Sequence, residues 1–141
     1  MKFETYFHDT AIKPSFTKEF ISIFDGWLGK DNLHQIDDVT EKDWSRFNEL
    51  LRLLSKNYDL YRVDLGAQCL QKITDIQTVL NTHQESELKQ SAEFTTIAIP
   101  ELNAIYAEDW DCTWILWHMN NGAVETLSPL IDQSGLFHWA D

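Results

Sequence analysis

Apolar residues recur at three- and four-residue steps through the first half of the chain, and the repeat shortens toward two in the second half. In "SFTKEFISIFDGWLG", Phe16, Phe20, Ile23, Phe24, Trp27 and Leu28 keep helical spacing, with Ser15 as N-cap and Gly29 as stop. "TEKDWSRFNELLRLLSKN" puts Trp44, Phe47, Leu50, Leu51 and Leu54 on one face. It opens with Thr40 and Asp43 three residues apart, close to a capping box. A third stripe, Leu65, Cys69, Ile73, Ile76 and Leu80, predicts a helix over about 64–83. Ahead of these, "KFETYFH" alternates as a first strand does, with Phe3, Thr5 and Phe7 on one side.

The period fades in "HQESELKQSAE", where the chain is expected to turn from helical to extended. "EFTTIAIP", "NAIYAE" and "CTWILWHM" read as successive strands, the last two joined by "DWD", and "LFHW" as a short final one. The stretch between them has two readings. Asn121-Gly122 is a hairpin turn into a strand "AVETL", or a helix begins at "GAVETL" and meets a kink at Pro129. Ser128-Pro129 suits an N-cap and first helical position better, with Gly135 as the stop. The expected whole is a single α+β domain over 1–141. Three N-terminal helices (about 10–85) pack on a mostly antiparallel sheet formed by the C-terminal third (about 93–141) plus the N-terminal strand.

On strand 112–119, Cys112, Trp114, Leu116 and His118 point one way, and Thr113, Ile115, Trp117 and Met119 the other. Both faces are bulky and apolar. Such a strand is either central and covered twice, or turns one face to a ligand, a partner or a second copy.

Charge sharpens the picture. Residues 1–89 hold all 11 Lys and Arg against 15 acids, whereas residues 90–141 hold eight acids, no Lys or Arg, and four of the six tryptophans. A nucleic-acid-binding face needs the opposite sign, so direct DNA or RNA binding is disfavoured. The longest strictly apolar run is "WILW", too short to cross a bilayer, and a net charge of -12 is repelled by anionic lipid. Without a signal-like N-terminal stretch, a cytoplasmic location is expected, with Cys69 and Cys112 as reduced thiols.

Reaction motifs are scarce. Glu108, Asp109 and Asp111 lack the ligand spacing of a calcium loop, and His118, His138 and Cys112 lack that of a zinc site. No metal or cofactor is therefore expected. Neither a Gly-x-Ser-x-Gly elbow nor a phosphate-cradling glycine loop occurs, so no catalytic residue is assigned and an enzymatic role is unsupported.

The leading expectation is a binding protein, an inhibitor or immunity-type molecule, that docks a basic partner through Glu108, Asp109, Trp110, Asp111, Trp114 and Trp117. In its shortness, acidity and aromatic richness the chain is similar to accessory proteins of bacterial mobile DNA, including toxin-immunity proteins. An alternative is a small-ligand or enzymatic domain whose aromatic pocket, between helices and sheet, includes Tyr106, His118 and Trp139. Its helices followed by antiparallel strands resemble the cone-shaped nuclear-transport-factor-like architecture. A third reading is a homodimer built on the doubly apolar strand.

Overall fold

The computed structural model describes residues 2–82, 90 and 93–140. Its centre is a seven-stranded antiparallel sheet made of β3 (Thr17–Ser22), β4 (Tyr61–Asp64), β5 (Cys69–Lys72), β6 (Thr96–Ile99), β7 (Ala104–Glu108), β8 (Thr113–His118) and β9 (Phe137–Trp139). The spatial order is β5-β4-β6-β7-β8-β3-β9. Two further short strands, β1 (Phe7–His8) and β2 (Ala11–Ile12), pair only with each other. Among the described residues, α-helix is confined to α1 (Glu41–Asn57) and α2 (Asn121–Gln133).

The architecture is thus α+β, but three N-terminal helices on a C-terminal sheet are not what forms. Of the three N-terminal helices expected, only α1 forms, while the helical reading of the stretch before Gly135 is met by α2. The residues read as a first helix become β3 followed by a loop. Those read as a third become the β4–β5 hairpin and a 3-10 turn at Ile76–Val79. The segment read as a first strand is a 3-10 turn, Phe3–Thr5, leading into β1, and it stays outside the main sheet. The expected helical-to-extended change in "HQESELKQSAE" falls mostly on 83–89, 91 and 92, outside the described residues.

Each departure has a physical cause. In β3, Thr17, Glu19 and Ile21 face the helices while Lys18, Phe20 and Ser22 face away. From Glu19 to Ser22 every residue is buried. A strand covered on both sides loses its period-two signature, and Phe20 with the flanking Phe16 and Phe24 then mimics helical spacing. In 64–72, Asp64 Oδ1 accepts the Ala67 N–H at 2.9 Å, and Gln68 takes a left-handed φ of 52°. Together they turn the chain back on itself.

Helix α1 forms as its pattern dictates. The Thr40 backbone N–H donates to Asp43 Oδ2 at 3.0 Å, closing the capping-box pair, and Phe47, Leu50, Leu51 and Leu54 are buried. Each such side chain contributes roughly 1.5–3 kcal/mol when removed from water. Helix α2 starts earlier than Ser128. Asn120 is its N-cap, the side chain accepting the Gly122 N–H at 2.9 Å, and the helix runs on through Pro129. Ala123, Leu127 and Ile131, spaced by four, face the sheet, while Pro129 lies on the solvent side. Gly135, at φ 80°, ends it, with Leu136 N–H donating to the Ile131 carbonyl at 3.1 Å.

Two cores result. Under the helices, Phe47, Leu50, Leu54, Ile97, Trp114, Leu116 and Ile131 form one cluster. On the opposite face, the N-terminal segment lays Phe3, Tyr6, Phe7 and Phe16 over Val63, Ala98 and Ile105, with Trp117 packed alongside. The helix-free face is therefore covered over β4, β6 and β7, and more sparsely toward β3 and β9. No helix is long and apolar enough to cross a membrane among the described residues.

Candidate functional site

The hairpin joining β7 to β8 carries the acids and tryptophan singled out in the sequence. Asp111 and Cys112 take successive left-handed φ values of 60° and 55°, an unfavourable conformation for side-chain-bearing residues. Three contacts hold the tip. Asp109 N–H donates to the Thr113 carbonyl at 2.9 Å, Thr113 Oγ1–H to the Asp111 carbonyl at 3.0 Å, and Ser22 Oγ–H to the Cys112 carbonyl at 2.8 Å. The last bond pins the hairpin to the end of β3, where the loop carrying Trp27 begins.

Backbone alternation then divides the acidic group. Glu108 points under the helices and is buried. Its Oε1 accepts the Thr95 N–H at 2.9 Å and the Thr82 hydroxyl at 3.0 Å. Asp109 is half-buried, and desolvation raises its carboxyl above the usual value. The Trp110 backbone N–H and the Lys18 charge pull it back, while Asp111 adds to the rise. Asp111 and Trp110 are exposed at the tip, with Trp110 edge-on to Phe94 at 4.7 Å.

The other tryptophans of the group part company. Trp114 is sealed in the helix-side core, stacked on Tyr106 at 4.4 Å. Trp117 is half-buried on the other face with Lys18 Nζ 4.9 Å above its ring. The sheet therefore brings Asp109, Trp110 and Asp111 together at one surface and leaves Glu108 and Trp114 inside.

Nor do the expected pocket residues meet. Tyr106 is fully buried, which drives its phenol well above the ordinary range. His118, also buried, makes a 2.9 Å hydrogen bond through Nδ1 to the Asn120 carbonyl. Trp139 lies on the opposite face of the sheet. His118 and His138 are not on neighbouring strands either, because β3 runs between β8 and β9.

Trp27, which composition alone did not single out, completes the exposed surface. Gly26 and Gly29, at φ 104° and 71°, shape the loop that turns it back over the sheet, 55% exposed. Its ring lies edge-on to Phe20 at 4.6 Å and to Trp139 at 5.2 Å. Asp111, Leu33, Trp27 and Trp139 border a shallow hollow of about 70 Å³. Aromatic rings beside a carboxylate form a setting that favours a cation. Phe137, 42% exposed, extends the aromatic ground along β9. The missed signal was available: Gly26-Trp27-Leu28-Gly29 sets an indole between two glycines, a loop pattern rather than a helix pattern.

A second constellation was invisible in the sequence because its members are far apart. Glu19 on β3, His138 on β9 and Ser128 on α2 form a continuous chain. His138 Nδ1 lies 2.6 Å from Glu19 Oε2, and its Nε2 lies 2.9 Å from Ser128 Oγ. Glu19 is buried; His138 and Ser128 are partly open to solvent.

No family model matches this chain, no curated protein matches it, and no solved structure matches its fold.

Proposed function

We propose that this protein is a binding module for a basic protein. It engages its partner through the aromatic ground around Trp27, Trp139, Trp110 and Phe137, and it seats a lysine or arginine side chain in the hollow beside Asp111. The supporting observation is the hollow itself: two indoles and a carboxylate on one surface, in a chain of net charge -12. Cation–π attraction contributes about 0.5–2 kcal/mol, depending on how dry the contact becomes. The surrounding negative field speeds encounter with a cationic surface and fades with salt.

The reading narrows the expectation from sequence. Asp109, Trp110 and Asp111 keep a place at the surface, Trp27 and Trp139 join them, and Glu108 and Trp114 serve the core beneath. The homodimer reading loses its motive, because β8 is hydrogen-bonded by β7 and β3 on its two edges and packed on both faces.

Titration of intrinsic tryptophan fluorescence with a lysine- and arginine-rich peptide tests the proposal. Saturable binding that weakens with salt is expected, with about a tenfold loss in Trp27→Ala and in Asp111→Asn, and no response to an acidic peptide. Unchanged fluorescence at low salt, or equal affinity in both variants, removes the hollow from consideration.

A further inference from the structure

We propose that Ser128 is an activated nucleophile, primed by His138 and Glu19, that accepts an acyl group from a small ester. The geometry supplies the order of contacts that such chemistry needs. The imidazole turns Nδ1 to a buried carboxylate and Nε2 to a hydroxyl, at 2.6 and 2.9 Å, with the three groups on three different elements. With Nδ1–H donating to Glu19, Nε2 is left as the base and the Ser128 hydroxyl donates to it; roles and distances, not sequence order, define this arrangement. Glu19 is a positioning residue that fixes the tautomer. A cleft of about 390 Å³, walled by Thr17, Lys18, Glu19, Phe20, His118, Asn121 and Ala140, adjoins this chain of contacts at Glu19.

The step balances without any further reagent. Ser128 Oγ attacks the ester carbonyl as its proton passes to His138 Nε2. The carbonyl then re-forms, and the alcohol departs with that proton. An acyl-serine and a free alcohol remain, and water attacking under the same base returns the acid.

Two local features set the rate and the preference. Ser128 lies within α2, so its own N–H serves the helix, and Pro129 after it has no N–H. Base assistance is thus available without the backbone donors that usually stabilise the oxyanion. Acylation should outrun deacylation and should need a good leaving group. Glu125 and Asp132, exposed three residues before and four after Ser128, outweigh Lys18 in the cleft wall and favour an ester bearing positive charge over an anionic one.

The test is to mix the intact protein with p-nitrophenyl acetate, follow nitrophenolate release, and locate the acetyl group by peptide mass spectrometry. A burst approaching one equivalent, with acetyl on Ser128, is expected. His138→Gln should slow it about 100- to 10,000-fold. Glu19→Gln should slow it less, with Glu19→Asp restoring part of the rate. Thermal unfolding of each variant separates lost reactivity from lost fold. Acetyl on lysines alone in the folded wild-type protein overturns the proposal, as does Ser128 acetylation at an undiminished rate in folded His138→Gln. A trimethylammonium-substituted phenyl acetate should react several-fold faster than its sulfonated analogue. The reverse order overturns the assigned substrate class.

Discussion

Replacing Glu108 with alanine should unfold this protein far more readily, although the residue stands one position from an exposed acidic turn. Its side chain is 4% exposed, and Oε1 is the acceptor for the Thr95 backbone N–H at 2.9 Å and for the Thr82 hydroxyl at 3.0 Å. The Thr82 and Thr95 hydroxyls also lie 2.6 Å apart, so the Thr82 hydroxyl can turn to its neighbour when the carboxylate goes. Among the described residues, the Thr95 N–H has no such substitute. Hydrogen bonds to a charged group are worth roughly 1.5–3 kcal/mol each, and a buried donor left unpaired costs about 1–3 kcal/mol. A loss of about 3 kcal/mol follows for Glu108→Ala, a large share of the 5–15 kcal/mol typical of a domain. Glu108→Gln keeps a carbonyl oxygen for the Thr95 N–H and should lose about 1 kcal/mol. In urea, with a slope near 2 kcal/mol per molar, the alanine variant's midpoint should fall by about 1.5 M. Asp111→Asn, three residues on, should hardly move it. A midpoint for Glu108→Ala within about 0.3 M of wild type would mean that this carboxylate is solvated, and the division of the acidic group between core and surface would be wrong.

Three further outcomes follow. Asp109, raised by burial, binds its proton more tightly folded than unfolded, so its stabilising contribution is full below the ordinary carboxylate pKa and is lost as pH climbs through the folded value. Asp109→Asn should therefore raise the melting temperature at pH 7, with the gain vanishing near pH 3. Asp43 has the opposite sign. The Thr40 backbone hydrogen bond, with the Thr40 hydroxyl and the Arg46 and Lys42 charges, lowers its pKa, so stability present above the unfolded value is lost as pH falls through the folded one. Asp43→Asn should cost about 1 kcal/mol at pH 7 in chemical unfolding and flatten the acid limb of the stability curve. Pro129→Ala restores an N–H for the Glu125 carbonyl on the solvent side of α2. It should stabilise the fold by about 1–2 kcal/mol in thermal unfolding, after allowing for the freer unfolded chain; a lower melting temperature would show that α2 needs its proline.

Legibility from sequence followed how one-sided each element is. Helix α1 was readable because one face is packed and the other wet, so Phe47, Leu50, Leu51 and Leu54 announce their period and Thr40 and Asp43 announce the start. Strands β6, β7 and β8 were readable because turn residues bracket their runs. β3 was not, since a strand packed on both sides shows no alternation, and its inward Glu19 looks like a surface residue until His138 is seen beside it. At the hairpin tip, the chemistry of "EDWD" was plain but its division was not. Alternation sends Glu108 inward, and only the sheet register, Glu108 opposite Trp114, shows which side is which. The Glu19–His138–Ser128 chain had no local signal, because its members lie 119 and 10 residues apart along the backbone.

The place of β3 in the sheet has a consequence for how the molecule is made. A strand from residues 17–22 lies between one from 113–118 and one from 137–139, so both of its neighbours come from much later in the sequence. During synthesis that segment must wait until residues 113–118 and then 137–139 have been made before its flanks can be satisfied. Closing such long loops slows folding. Until Phe137–Trp139 emerges, Phe20 and Ile21 remain an unguarded sticky edge, the point at which a nascent or truncated chain would seek help from chaperones.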